Sequence, residues 1–171
     1  MRHEVVMATE KQRPDPQKSL VGFVVGEVAY AVHISAVREI ITPVPLTELP
    51  HAPRAVAGVA DHRGEVIPII DLRVRFGLPR SEEPRRNKWI LIDLHGKRVG
   101  LAVDRVTEVF GTGGQELKSP PTFGTGDDVR GILGVTTYDS RLVFVLDLDR
   151  FESLTSSLEH ARLLEASKEL I

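Results

Sequence analysis

Val56-Ala-Gly-Val-Ala-Asp-His-Arg-Gly-Glu-Val-Ile-Pro-Ile-Ile-Asp71-Leu-Arg occurs twice in this chain, the second time as Ile132-Leu-Gly-Val-Thr-Thr-Tyr-Asp-Ser-Arg-Leu-Val-Phe-Val-Leu-Asp147-Leu-Asp. From Gly58 to Asp71 and from Gly134 to Asp147 the two copies align without a gap. Each is an apolar run, a polar turn, a second apolar run, and an Asp-Leu that opens a short helix. Upstream, Gly26-Glu-Val-Ala-Tyr-Ala-Val and Val37-Arg-Glu39-Ile correspond to Gly96-Lys-Arg-Val-Gly-Leu-Ala-Val and Val106-Thr-Glu108-Val. Self-similarity of this length marks one supersecondary unit used twice.

Working outward, the apolar runs are short, β-branched and bounded by turn residues, which is the pattern of strands. Leu20 to Gly26 and Val28 to Val32 form a hairpin across Gly26-Glu27. His33 to Ala36 makes a single helical turn, and Val37 to Ile41 is a third strand. Pro43, Pro45, Pro50 and Pro53 impose an extended connection, because proline lacks a backbone donor and disfavours helix in the residue before it. Val56 to Ala60 and Glu65 to Ile70 are strands four and five. Asp71 then caps a short helix that ends at Gly77. The second half repeats this plan from Trp89 to Leu146, with a long Gly/Pro/Thr loop, Thr112 to Asp128, in place of the proline connection.

Ten short strands in two groups of five predict a mostly all-β fold of two small five-stranded β-barrels. Residues 19–80 form the first barrel and 89–147 the second, with a polar linker at 81–88 between them. Residues 1–18 are expected to be a disordered leader. Residues 148–171 are expected to form a C-terminal helix that packs on the core, since Leu148, Phe151, Leu154, Leu158 and Ala161 recur at helical spacing.

The chain has 171 residues, 42% hydrophobic and 27% charged, an ordinary composition for one globular domain or two small subdomains sharing a core. The net charge of −2 leaves no basic footprint for nucleic acid. The absence of cysteine excludes disulfides, thiolate metal sites and a cysteine nucleophile, and fits a reducing compartment. No apolar stretch approaches the roughly 20 residues that span a bilayer, so cytoplasmic residence is the expectation. The six histidines are scattered without metal-ligand spacing. No Gly-x-Ser-x-Gly elbow or Gly-x-Gly-x-x-Gly turn is present. Asp71 and Asp147 occupy matching places, where helix capping explains them without catalysis. Neither a cofactor nor a metal is implied, and an enzyme using Asp61, His62 or Asp71 has no motif behind it.

At Gly58-Val-Ala-Asp-His-Arg63-Gly64-Glu-Val-Ile-Pro68-Ile-Ile-Asp71-Leu-Arg73 the chain resembles the CheW family of bacterial chemotaxis coupling proteins. That family's signature is Gly-Val-x-Asn-x-Arg-Gly, an apolar strand with an internal proline, then Asp-Leu-Arg. Tyr30-Ala-Val, Val37-Arg-Glu39-Ile, Gly100-Leu-Ala-Val103-Asp104 and Gly131-Ile-Leu-Gly134 share in the likeness. Asp61 stands where the family usually has asparagine, and His62 where it usually has leucine. The resemblance implies one CheW-like domain over residues 19–165, with two five-stranded barrels around a common core. It further implies a non-catalytic adaptor that couples methyl-accepting chemoreceptors to the histidine kinase CheA in arrays that control motility. The expected partners are the regulatory domain of the kinase, the cytoplasmic tips of the receptors, and other CheW-like domains within arrays. Neither nucleic acid nor direct membrane contact is expected.

Carried across by position, Val37, Arg63, Gly100, Val106 and Val109 match places associated with receptor binding, and Glu39 and Gly58 places associated with the kinase. Each also has a plainer reading. Val37, Val106 and Val109 suit a core. Gly58 and Gly100 either admit a close backbone approach or mark a bulge. Glu39 has a counterpart in Glu108, which favours a shared structural role. Arg63 beside Gly64 sits in an accessible turn, where its rigid fork can bond a partner's carboxylates or carbonyls. Outside the resemblance, the rival reading is a nucleic-acid-binding small-barrel protein.

Overall fold

Among the described residues the chain turns through four hairpins whose turns are only two residues long. A computed structural model of the protein describes residues 18–120, 131–152 and 154. Strands β1 (Ser19–Val25) and β2 (Val28–His33) turn at Gly26, which has φ of 63°. β4 (Val56–His62) and β5 (Glu65–Asp71) turn at Arg63-Gly64, and β6 (Lys88–Leu94) and β7 (Lys97–Val103) at His95-Gly96. β9 (Ile132–Tyr138) and β10 (Arg141–Leu146) turn at Asp139-Ser140. In these last three turns both central residues have positive φ, as at Arg63 (52°) and Gly64 (82°), which matches the twist of the flanking strands. The side chains of Asp61 and Asp93 accept the N–H of Gly64 and Gly96 at 3.0 and 2.9 Å, bracing two of the turns.

Two further strands are β3 (Val37–Ile41) and β8 (Arg105–Gly111). Helix α1 (Leu72–Arg75) follows β5 directly. The Asp71 carboxylate accepts from the N–H groups of Arg73 and Val74, and Gly77 and Leu78 donate back to the carbonyls of Val74 and Arg73. The expected cap and stop at Asp71 and Gly77 are therefore present as a Schellman ending. After β10, Asp147 accepts from the Asp149 N–H and opens a 3-10 turn over Leu148–Phe151. The leader to residue 17, the Thr112–Asp128 loop from residue 121 onward and most of the expected C-terminal helix lie outside the described residues.

The strands assemble into two mixed five-stranded sheets, β8-β1-β2-β10-β9 and β3-β6-β7-β5-β4. Each sheet joins a hairpin of one repeat to three strands of the other: β1 and β2 receive β8, β9 and β10, while β6 and β7 receive β3, β4 and β5. The junctions are the parallel pairings β2–β10 and β5–β7 and the antiparallel pairings β1–β8 and β3–β6. The expectation that residues 19–80 and 89–147 each form a barrel is thus corrected. The division at residues 81–88 separates strands in sequence but not in space. That stretch carries a 3-10 turn at Pro84–Arg86 and then enters β6 at Lys88.

The barrels are not closed by ladders. The connection leaving β3 crosses to β4 through one bridge, Thr47–Val59, with N–H···O bonds of 2.8 and 2.9 Å, and the connection leaving β8 reaches β9 through Lys118–Val135 in the same way. Glycine makes both approaches feasible. A Cβ on Gly58 would collide with the Thr47 carbonyl, and one on Gly134 would stand 2.7 Å from the Leu117 Cβ.

The core has three layers. Between the sheets lies a shared cluster that includes Val21, Phe23, Val32, Ile70, Ile90, Ile92, Leu101 and Phe151. On the far face of β3-β6-β7-β5-β4 a second cluster gathers Ile67, Ile69, Trp89 and Leu91, and on the far face of the other sheet a third gathers Leu20, Phe110, Val143 and Val145. The central strands are buried on both faces, which explains their continuous apolar runs. At the end of α1, Arg75 lies over the Phe151 ring at 5.7 Å, and burial pushes its guanidinium below its ordinary value. Beside it, Arg73 forks onto Asp104 at 2.7 and 2.9 Å, and the Asp104 carboxylate also accepts the Gly26 N–H, tying α1, the β1–β2 turn and the β7–β8 junction together.

Candidate functional site

Edge strand β3 carries two of the expected site residues, and a bulge determines where each points. Val37 pairs with Ile92, but Glu39 pairs with Leu91, so one extra residue is accommodated between them. Bulges re-aim the side chains that follow them. Val37 consequently packs on the shared core, whereas Ile41 packs on the far-face cluster. Glu39 turns toward the tip of the β4–β5 hairpin.

There the Glu39 carboxylate is shared. Its Oε1 accepts from Arg63 Nη2 at 3.0 Å, and its Oε2 lies 3.2 Å from His62 Nε2. The exposure of the three side chains is graded: His62 is 13% accessible, Glu39 34% and Arg63 74%. His62 is therefore the packed base of the cluster and Arg63 its outward end, with one nitrogen engaged and the rest of the fork facing solvent. Expected at two different partners, Arg63 and Glu39 are in direct contact. One surface holds both.

The other sheet repeats this contact with different chemistry. Glu108 on β8 accepts a 3.0 Å hydrogen bond from the hydroxyl of Tyr138, the residue in register with His62 in the repeat. Accepting that bond, Glu108 pushes the Tyr138 phenol above its ordinary value, and the Tyr138 ring stacks on Phe110 at 4.1 Å. In both sheets a glutamate on one edge strand reaches the end of the opposite edge strand. The shared structural role expected for Glu39 and Glu108 is present in this geometry.

β8 mirrors β3. Its register shifts opposite Gly22, so Val106 pairs with Phe23, Val109 with Val21 and Phe110 with Leu20. Val106 packs on the shared core and Phe110 on the far-face cluster. Val109 is 49% exposed yet stands on the core-facing side, because cross-strand partners share a face and Val21 belongs to the shared core. Ile40 on β3 pairs with Ile90 and is 42% exposed in the same way. Each sheet thus presents an apolar edge, Val37 with Ile40 and Val106 with Val109, at the margin of the shared core.

Gly58 and Gly100 are buried and contribute through backbone. Gly58, with φ of 155°, seats Thr47 against β4. Gly100 lies between Ile69 and Leu91 in the far-face cluster, with no room for a methyl group beside the Ile69 Cδ1. His62 and Ile40 were missed as site residues from sequence. The available signal was the repeat itself, which aligns Ile40 with the named Val109 and His62 with Tyr138. The arrangement offers apolar edges, an exposed arginine and a glutamate that orients it, which are the means of gripping a protein surface.

Comparison with known proteins agrees with this two-sheet plan. A family profile described as "CheW-like domain" matches residues 19–154. The chain is 33% identical over 132 residues to "Chemotaxis protein CheW" of Rhizobium meliloti (strain 1021), covering 77% of this chain and 85% of that protein. It is 31% identical over 143 residues to the protein of the same name from Treponema pallidum (strain Nichols), covering 81% and 84%. Among solved structures it is similar to the scaffolding protein TtCheW from Thermoanaerobacter tengcongensis, with a TM-score of 0.67 and 28% identity, covering 76% of this chain and 88% of that one.

Proposed function

This chain belongs to the CheW-like domain family, as a non-catalytic scaffolding and coupling protein of chemotaxis, and from that premise we propose that it joins chemoreceptor tips to the regulatory domain of a CheA-type histidine kinase in the cytoplasm. The observation that carries this reading is the family match, which spans nearly all the described residues, both sheets included. The nucleic-acid alternative has no comparable support.

In this reading a receptor helix lays its apolar face along Val37, Val106 and Val109, joined by Ile40, in the helix-in-groove mode. Arg63 stands at the rim and bonds the receptor's polar groups with the part of its fork that Glu39 leaves free. Gly100 contributes by leaving room for Ile69 and Leu91 against β7 rather than by contact. Glu39 and Gly58 serve the kinase-facing side from behind the surface, Glu39 by holding the hairpin tip and Gly58 by seating Thr47 on β4. Affinity in the micromolar range, about −8 kcal/mol, suffices where many copies act together.

The test is capture of a recombinant chemoreceptor tip fragment by the purified full chain. Because Val109 is exposed, Val109→Arg keeps the fold, and it should weaken capture by about tenfold, the loss of one well-placed apolar contact. Undiminished capture by this variant would remove the β8 edge from the receptor surface.

A further inference from the structure

The geometry points to His62 as a positioning residue of this site, one that holds the second oxygen of Glu39 and so makes the freedom of Arg63, and with it partner capture, depend on protonation. This rests on the proposed receptor reading for its biological meaning, but the device itself stands on the cluster alone. The Glu39 carboxylate has two oxygens and two neighbouring cation-forming groups, Arg63 at 3.0 Å and His62 at 3.2 Å. A carboxylate shared in this way divides its charge between them. Protonated His62 is an imidazolium against Oε2, in a place only 13% accessible where a charge-assisted bond is little screened. Neutral His62 offers at most a neutral N–H, and Glu39 then draws more strongly on Arg63.

The internal repeat supplies the comparison. At the matching place in the other sheet, Tyr138 gives Glu108 a hydroxyl that keeps its proton at neutral pH, and the turn residue that follows is Asp139 rather than an arginine. The same architectural contact is therefore made by an imidazole in one sheet and by a hydroxyl in the other. Histidine is the side chain whose charge changes in the physiological range.

Charged neighbours of His62 already have partners. Glu65 on β5 is its cross-strand partner and is engaged by Arg98 of β7 at 3.1 Å. Asp61, preceding it on β4, is occupied by the Gly64 N–H. From β3, Glu39 is the acid that faces it, and Arg63 follows it in the turn. Acidification therefore strengthens the His62–Glu39 contact, loosens Arg63, and should tighten capture of a receptor tip.

Two measurements on the intact 171-residue chain test this. In the first, the Arg63 guanidinium signals are followed by 15N NMR from about pH 8 to about pH 6, with no partner present, in the wild type, His62→Gln and His62→Tyr. Arg63 signals that shift with pH in the wild type and lose that shift in both variants are the expected result. His62→Tyr copies the residue that the other sheet accommodates, so it guards against a glutamine variant that fails to fold. An unchanged Arg63 profile in either folded variant overturns the proposal. In the second, affinity for a recombinant receptor tip fragment should rise about threefold across the same range in the wild type, the scale of one partly exposed ion pair, and stay flat in the variants. An Arg63 profile that behaves as expected, together with no receptor capture at any pH, overturns the receptor reading and leaves the proton-dependent clasp supported.

Discussion

At the residue scale, the two expected glycines of the site act through space rather than contact, and they differ in how replaceable they are. At Gly58 a methyl group meets the backbone carbonyl of Thr47, which accepts the Val59 N–H while the Thr47 N–H donates to the Val59 carbonyl. The backbone there also has φ of 155°, which L side chains rarely adopt. At Gly100 the nearest atom is the flexible end of Ile69. Gly58→Ala should therefore cost about 2–4 kcal/mol and Gly100→Ala about 1–3 kcal/mol, ranked by chemical denaturation. Equal losses, or a larger loss at Gly100, would contradict the close-approach account of Gly58. From sequence both glycines permitted either a bulge or a close approach. Gly58 has both, a register shift between Val56 and Gly58 and the approach of Thr47, whereas Gly100 has the close approach of Ile69 and Leu91, and all of these depend on residues outside the glycine's own strand.

At the scale of elements, strand boundaries were legible almost throughout, because β-branched runs and two-residue turns are local signals. The 3-10 turn at Ile34–Ala36, the caps at Asp71 and Asp147 and the four hairpins all stand where the residues indicated. The bulges in β3 and β8 were not legible, since they depend on register against β6 and β1. With them went the facing of Glu39 and the exposure of Ile40. Asp93 supplies an element-scale prediction. Hydrogen bonds from the Arg38 side chain and then the Gly96 N–H hold its carboxyl below the usual carboxylate range, joining edge strand β3 to the β6–β7 turn. A group depressed in the folded state stabilises above its unfolded pKa, and that contribution is lost as pH falls through the folded value. Wild type should therefore lose stability more steeply than Asp93→Asn on acidification below about pH 4, read as melting temperature against pH. Parallel profiles would mean that the Arg38–Asp93 contact contributes nothing to the fold.

At the scale of the molecule, the duplication was visible in sequence but its consequence was not. Two similar halves suggested two barrels, each built from the strands of its own half, around a common core. Instead each half lends three strands to the other's hairpin, while the common core does take residues from both sheets as expected. Nothing local encodes this exchange: the same apolar strand can pair with a hairpin of its own half or of the other. Fragments 1–84 and 85–171 should accordingly be unfolded alone and recover β-sheet circular dichroism only when mixed. A folded isolated fragment would contradict the interleaved topology. The interleaving also bears on function. Because β3 and β8 are edge strands of different sheets over one core, a partner gripping either edge pulls on a structure that is common to both.

The adaptor reading is tested most directly by three-component binding, in which purified chain, a chemoreceptor tip fragment and the regulatory domain of the cognate kinase are run together by size exclusion. The account predicts one complex containing all three with the wild-type chain. With Arg63→Glu, which reverses the exposed end of the cluster while leaving the packed His62 in place, receptor should be lost and kinase retained. A chain that takes up neither protein, or an Arg63→Glu variant that holds the receptor as firmly as the wild type, would contradict it.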